Sequence, residues 1–166
     1  MAEVQITNTP SMDIQAASNF ERYLYYLMDS DSAKTKELME NFAQNRHIDL
    51  SSDVDLIQRD FVSASVSTDQ VKETISSFYK NHNYTLDPHT AVGVRAAEQF
   101  RTVGVPMVCL ATAHPAKFPS VVEEATGQKP AVPEPLLDIE NRPSRCEIMD
   151  ADQELIKAFI AAHAGE

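Results

Sequence analysis

Between Met107 and Phe118 the chain passes from an apolar run through small residues to a proline, Met-Val-Cys-Leu-Ala-Thr-Ala-His-Pro-Ala-Lys-Phe. The apolar part, Pro106 to Ala111, reads as a buried strand, and Pro115 can open a helix whose first amides face whatever lies beyond the strand end. In open α/β sheets ligands sit at that end. Thr112, His114 and Lys117 are therefore the first candidates for a site.

A second unit of the same kind lies upstream. In residues 61–66, Val62, Ala64 and Val66 alternate with Ser63, Ser65 and Ser67, the period of a half-buried strand. Ser67-Thr-Asp-Gln70 then has capping-box spacing, and Val71, Ile75, Phe78 and Tyr79 follow at helical spacing. Asp87 and Pro88 start another helix with a cap and an N1 proline, running to Phe100 with Gly93 inside it. Glycine costs about 1 kcal/mol there relative to alanine, so a neighbouring element is expected to pack closely against it.

The remaining elements are helical. Ala17, Phe20, Leu24 and Leu27 predict a helix over about 13–28, capped by Ser11 or Asp13. Ser32 can cap a second, with Leu38 and Phe42 on one face, and residues 53–60 allow a turn or two of helix. Phe118, Val121, Val122 and Ala125 form a stripe stopped by Gly127, in a helix that starts irregularly at Pro115 or properly at Pro119. Four prolines make 128–145 an extended surface linker to a last helix, capped by Asp150 or Asp152, with Leu155, Ile156, Phe159 and Ile160 on one face. Strands alternating with helices argue an α/β fold. Only two or three strands can be counted, few for a free-standing sheet.

The chain's size and charge narrow the function classes. At 166 residues and 43% hydrophobic it can bury the core of one domain, and its net charge of −11 opposes binding to nucleic acid or anionic membrane. No apolar run approaches a membrane span and the first residues lack the features of a signal peptide, so a cytoplasmic location is expected. Cys109 and Cys146 give neither a disulfide framework nor a metal-site spacing and read as reduced thiols.

Each candidate has a local reading beside the functional one. Thr112 can hydrogen-bond a ligand at the strand end or local backbone. His114 can act as acid or base, or brace its loop. Lys117, placed against the helix dipole, suggests an anion nearby or a solvated lysine. His89 at the start of the Asp87-Pro88 helix can face a pocket or pack. Asp13 and Asn19 stand near the start of the first helix, where capping suffices to explain Asp13. There is no glycine-rich phosphate loop and no nucleophile elbow, and no complete catalytic set is visible.

Four segments together resemble threonine synthase, a pyridoxal-phosphate (PLP) enzyme of fold type II, the tryptophan synthase β-like class. They are Pro10-Ser-Met-Asp-Ile14 running into Ser18-Asn-Phe-Glu-Arg22, Phe61-Val-Ser-Ala-Ser-Val66, Leu86-Asp-Pro-His-Thr-Ala-Val-Gly93, and Thr112-Ala-His-Pro-Ala-Lys-Phe118. Their order and spacing also fit, and the match covers most of residues 8–127. It corresponds only to the C-terminal part of such an enzyme, residues 1–166 forming a single segment of it.

The resemblance implies conversion of O-phospho-L-homoserine and water to L-threonine and phosphate, with PLP as electron sink. It assigns Thr112 to hydrogen-bond the pyridine nitrogen, and it makes His89, His114, Lys117, Asp13 and Asn19 possible pocket-lining residues. The Schiff-base lysine and the phosphate cradle of the family belong to the missing N-terminal part. None of Lys34, Lys36, Lys72, Lys80, Lys117, Lys129 and Lys157 stands in the matching context. The chain alone is therefore expected to bind PLP weakly and to be inactive until joined to that partner. A rival reading makes it a stand-alone, non-catalytic binding or regulatory module derived from the same fold. A third, a complete small enzyme using His89 or His114 as base, has no nucleophile or cofactor anchor behind it.

Overall fold

The computed structural model describes residues 4–14 and 17–164. It divides after Ala131 into two compact units. The first is built on three helices: α4 (Thr68–His82), α5 (Pro88–Phe100) and α6 (Pro119–Thr126), with α4 packed on both of the others.

Local chemistry explains where these helices begin and end. Ser67 Oγ accepts from the Gln70 amide at 3.3 Å while Gln70 Oε1 accepts from the Ser67 amide at 2.9 Å, so the predicted capping box is formed. Asn83 (φ 51°) ends α4 in the left-handed region, and Gly127 (φ 76°) does the same for α6, where glycine has no Cβ to clash. Pro115 opens only a single 3₁₀ turn, and α6 begins properly at Pro119. From α4 come Val71 and Ile75, from the connection Leu86, and from α5 Ala91 and Val94, forming one buried cluster with Val66, Phe78, Val121 and Ala125 around it. Val122 of α6 is also fully buried.

Upstream, α1 (Phe20–Leu27) packs on α2 (Ser32–Asn45), burying Leu24 and Thr35. After a 3₁₀ turn at Ser51–Asp53 comes α3 (Val54–Asp60). The Tyr23 ring of α1 stands edge-on to Phe61 just beyond α3, with centroids 4.7 Å apart, and its hydroxyl donates to Asp60 at 3.1 Å. The second unit holds two 3₁₀ turns, Glu134–Leu136 and Ile139–Asn141, and α7 (Gln153–His163), capped by Asp152. No described helix is long and apolar enough to cross a membrane.

Several expectations are corrected. Neither 61–66 nor 106–111 forms a strand, and no strand occurs among the described residues. A strand exists only in a ladder, and neither segment meets a partner there. The run read as buried is instead exposed, with Val108 at 79% and Leu110 at 77%. The fold seen is helical, without the few strands of the α/β reading.

The first helix starts at Phe20 rather than near residue 13, and residues 15 and 16 of the expected span lie outside the described ones. Asp13 does not cap it, because its carboxylate accepts from the Thr7 amide and hydroxyl, each at 2.7 Å. Asp31, not Ser32, caps α2. Gly93 meets no atom within 4 Å of where a Cβ would stand, so the close packing expected there is absent among the described residues.

Candidate functional site

The N-terminus of α5 is where the most polar chemistry is buried. Asp87, 2% exposed, uses Oδ1 to accept from the amides of His89 (2.9 Å) and Thr90 (3.3 Å), and its Oδ2 accepts a short bond from the Thr90 hydroxyl. A buried carboxylate without such donors would be costly. These three bonds, together with the positive end of the helix dipole, make its burial tolerable.

Two distant segments meet this cap. The Thr112 amide donates to Thr90 Oγ1 at 3.1 Å, joining positions 22 apart in sequence. The Ser11 amide donates to His89 Nε2 at 3.3 Å, joining positions 78 apart. Because Nε2 accepts, the neutral ring carries its proton on Nδ1. That nitrogen is buried, lies 3.5 Å from Asp87 Oδ1 and makes no hydrogen bond among the described residues. The imidazole also packs on Phe118, with centroids 4.8 Å apart and planes at 51°.

An open groove of about 380 Å³ adjoins the N-terminal segment, lined among others by Thr7, Asp13, Ser65, Val66 and Val92. Two motif segments thus meet a third at the start of α5, through Ser11 and Phe118 on His89 and Thr112 on Thr90, and the fourth, residues 61–66, borders the groove together with Asp13.

The predicted site residues fare differently. Thr112 is exposed; its amide is tied to Thr90, while its hydroxyl makes no hydrogen bond among the described residues. His89 is drawn into the buried cluster. Asp13 is half-buried in the Thr7 network on the groove. His114 spends Nδ1 on the Ala116 amide at 3.1 Å, capping its own 3₁₀ turn. Lys117 is exposed, with Nζ 5.8 Å from the centre of the Phe118 ring. Asn19 is exposed at the start of α1, makes no capping bond and takes no part in the cluster.

Sequence reasoning missed Thr90, Phe118 and Asn8 and took Asp87 for a helix cap alone. Thr90 had a signal: a hydroxyl three residues after an aspartate cap can reach the carboxylate's second oxygen. Asn8, whose side-chain nitrogen and oxygen are both buried without partners among the described residues, had none.

Comparison with known proteins identifies what the chain is similar to. The family described as threonine synthase, C-terminal, matches residues 90–160. Threonine synthase of Pseudomonas aeruginosa is 41% identical over 158 residues, covering 93% of this chain and 34% of that protein. That of Methylobacillus glycogenes is 39% identical over 160 residues, covering 95% and 34%. Among solved structures, PLP-bound threonine synthase from Brucella melitensis superposes with a TM-score of 0.82 at 34% identity, covering 100% of this chain and 36% of that one. The chain spans about a third of the length of the curated relatives it matches. On these matches, the chain belongs to the threonine synthase family and corresponds to its C-terminal part.

Proposed function

We propose that this chain furnishes the pyridine side of the cofactor site of a cytoplasmic, PLP-dependent threonine synthase. Joined to an N-terminal part, it acts on O-phospho-L-homoserine and water and yields L-threonine and phosphate. The observation that carries this reading is Thr112: its backbone is held by Thr90, while the residue is exposed and its hydroxyl uncommitted among the described residues.

That arrangement fits the cofactor. An uncommitted hydroxyl can donate to a ring nitrogen and, being neutral, leaves that nitrogen unprotonated. PLP, when bound, supplies the electron sink for the replacement at the substrate's β and γ carbons. Thr112 orients the ring through its nitrogen. His89 and Phe118 pack on each other and so link the start of α5 to the Thr112 segment. Asp13 and Ser65 line the open groove, whose one carboxylate suits the substrate's ammonium group rather than its anionic ends. His114 and Lys117 remain pocket-lining candidates only through their place in the Thr112 segment. Asn19 is a candidate through its motif alone.

The cofactor-bearing lysine belongs to the N-terminal part of the family, and no lysine here stands in its motif. The isolated 166-residue chain is therefore expected to form no threonine from O-phosphohomoserine, and detectable turnover by it would sink that claim. In the complete enzyme, Thr112→Ala is expected to shift the absorption of bound PLP and to lower kcat. An unchanged spectrum and rate would reject the assignment of Thr112.

A further inference from the structure

Helix capping alone does not account for the polar chain at α5. An N-cap carboxylate satisfies the first amides with one oxygen, and Asp87 Oδ1 already does so for His89 and Thr90. Its Oδ2 is taken by the Thr90 hydroxyl. With that proton committed to the carboxylate, Thr90 Oγ1 has only lone pairs left to offer, and the Thr112 amide takes one of them at 3.1 Å.

Asp87 and Thr90 are both buried, at 2% and 5% exposure, whereas every residue from 106 to 112 is exposed and unpaired as strand. The bond from Thr112 to Thr90 thus ties an exposed segment to a buried one, at the residue whose side chain matters. A hydrogen bond to a hydroxyl polarised by a carboxylate is stronger than one to a free hydroxyl. Once the Thr112 amide is fixed, its own hydroxyl is restricted to the staggered rotamers about a fixed Cα.

We propose that Asp87 and Thr90 are positioning residues for Thr112: the carboxylate orients the Thr90 hydroxyl, which holds the Thr112 backbone so that the Thr112 hydroxyl points steadily at its ligand. The ligand's being the pyridine nitrogen rests on the function proposed above; the tether itself does not. Thr90→Val keeps the shape and removes the acceptor. Thr90→Ser keeps the acceptor and loses only a methyl group.

The test uses the complete enzyme, this chain joined to its N-terminal part, with two readouts: hydrogen exchange of the peptide spanning 107–118, and the absorption spectrum of bound PLP. Thr90→Val is expected to speed exchange at the Thr112 amide about fivefold, the effect of losing one net hydrogen bond. It is also expected to move the PLP band in the same direction as Thr112→Val, and Thr90→Ser should restore both. Unchanged exchange in Thr90→Val overturns the proposal, as does accelerated exchange that Thr90→Ser fails to restore. A wild-type spectrum in Thr90→Val, where Thr112→Val has shifted it, overturns it as well. Should Thr112→Val itself leave the spectrum unmoved, the cofactor reading fails, and exchange alone then decides for or against the tether.

Discussion

Helices α4 and α7 carry the same kind of apolar stripe and end in opposite situations. In α4, Val71 and Ile75 are 1% and 0% exposed, enclosed by α5 and α6. In α7, Leu155, Ile156 and Ile160 are 53%, 40% and 59% exposed, and no residue of the helix is buried. Both have a polar residue accepting amide hydrogens at the N-cap, Ser67 in one and Asp152 in the other. Periodicity and capping predict that a helix forms and which face is apolar. They do not say what covers that face, because the cover comes from residues distant in sequence. Fully burying a valine or isoleucine contributes roughly 1.5–3 kcal/mol over leaving it exposed, so the two helices differ in how much they stabilise the chain.

The sharpest way to break this contrast is to truncate the same side chain in each helix. Ile75→Ala is expected to lose about 2–5 kcal/mol, since it removes buried methyl groups and leaves a cavity among Val71, Leu86 and Val94. Ile160→Ala is expected to change stability by no more than about 0.5 kcal/mol. Urea titration followed by circular dichroism measures both, and comparable losses would show that α7 is covered as firmly as α4.

The caps offer a second, smaller comparison. Ser67→Ala breaks both halves of the capping box and is expected to cost the main unfolding transition about 1 kcal/mol. Asp152→Ala removes the bonds to the Glu154 and Leu155 amides, and is expected to reduce helical signal without moving that transition. A shift of the main midpoint by Asp152→Ala would tie α7 to the core.

The smallest effect concerns the one described ion pair that bridges α4 and α6. Lys72 Nζ lies 2.5 Å from Glu124 Oε2, and this hydrogen bond raises the lysine above its ordinary value of 10.5, with the attraction of the Glu124 charge adding to it. A raised folded-state pKa means that the contribution is fully present below 10.5 and is lost as pH climbs through the higher folded value. Both partners are substantially exposed, so solvent and salt screen the pair. The melting temperature of the wild type is expected to fall slightly more than that of Glu124→Gln as pH is raised through that window. Parallel curves would show that the pair adds nothing to the α4–α6 contact.

The site was legible to a different degree from the helices. Thr112 and His89 were visible as members of motifs, but their relation was not. That the Ser11 amide reaches His89, and the Thr112 amide reaches Thr90, follows from how α5 is packed; neither contact leaves a mark in local spacing. His114 and Lys117 looked like ligands because they sit beside a strand end, yet each finds its contact within the same turn or on the adjacent Phe118. The strands at 61–66 and 106–111 were misjudged for one physical reason. Alternation and apolar runs record which residues suit a ladder, and a ladder needs a second strand that those residues do not encode.

By itself, then, the sequence determined what depends on neighbours along the chain. Ser67 with Gln70, Asp87 with Pro88, and Gly127 set helix ends through bonds and dihedrals spanning a few residues. The stripe in α4 determined which of its faces would be apolar. The tertiary structure alone decided that this stripe would be enclosed while that of α7 stayed exposed, that Gly93 would face open space, and that Asp87 and Thr90 would hold Thr112. These outcomes depend on which distant segments come together, and the entropy lost in bringing them together is offset only by packing and hydrogen bonds that exist in the folded chain.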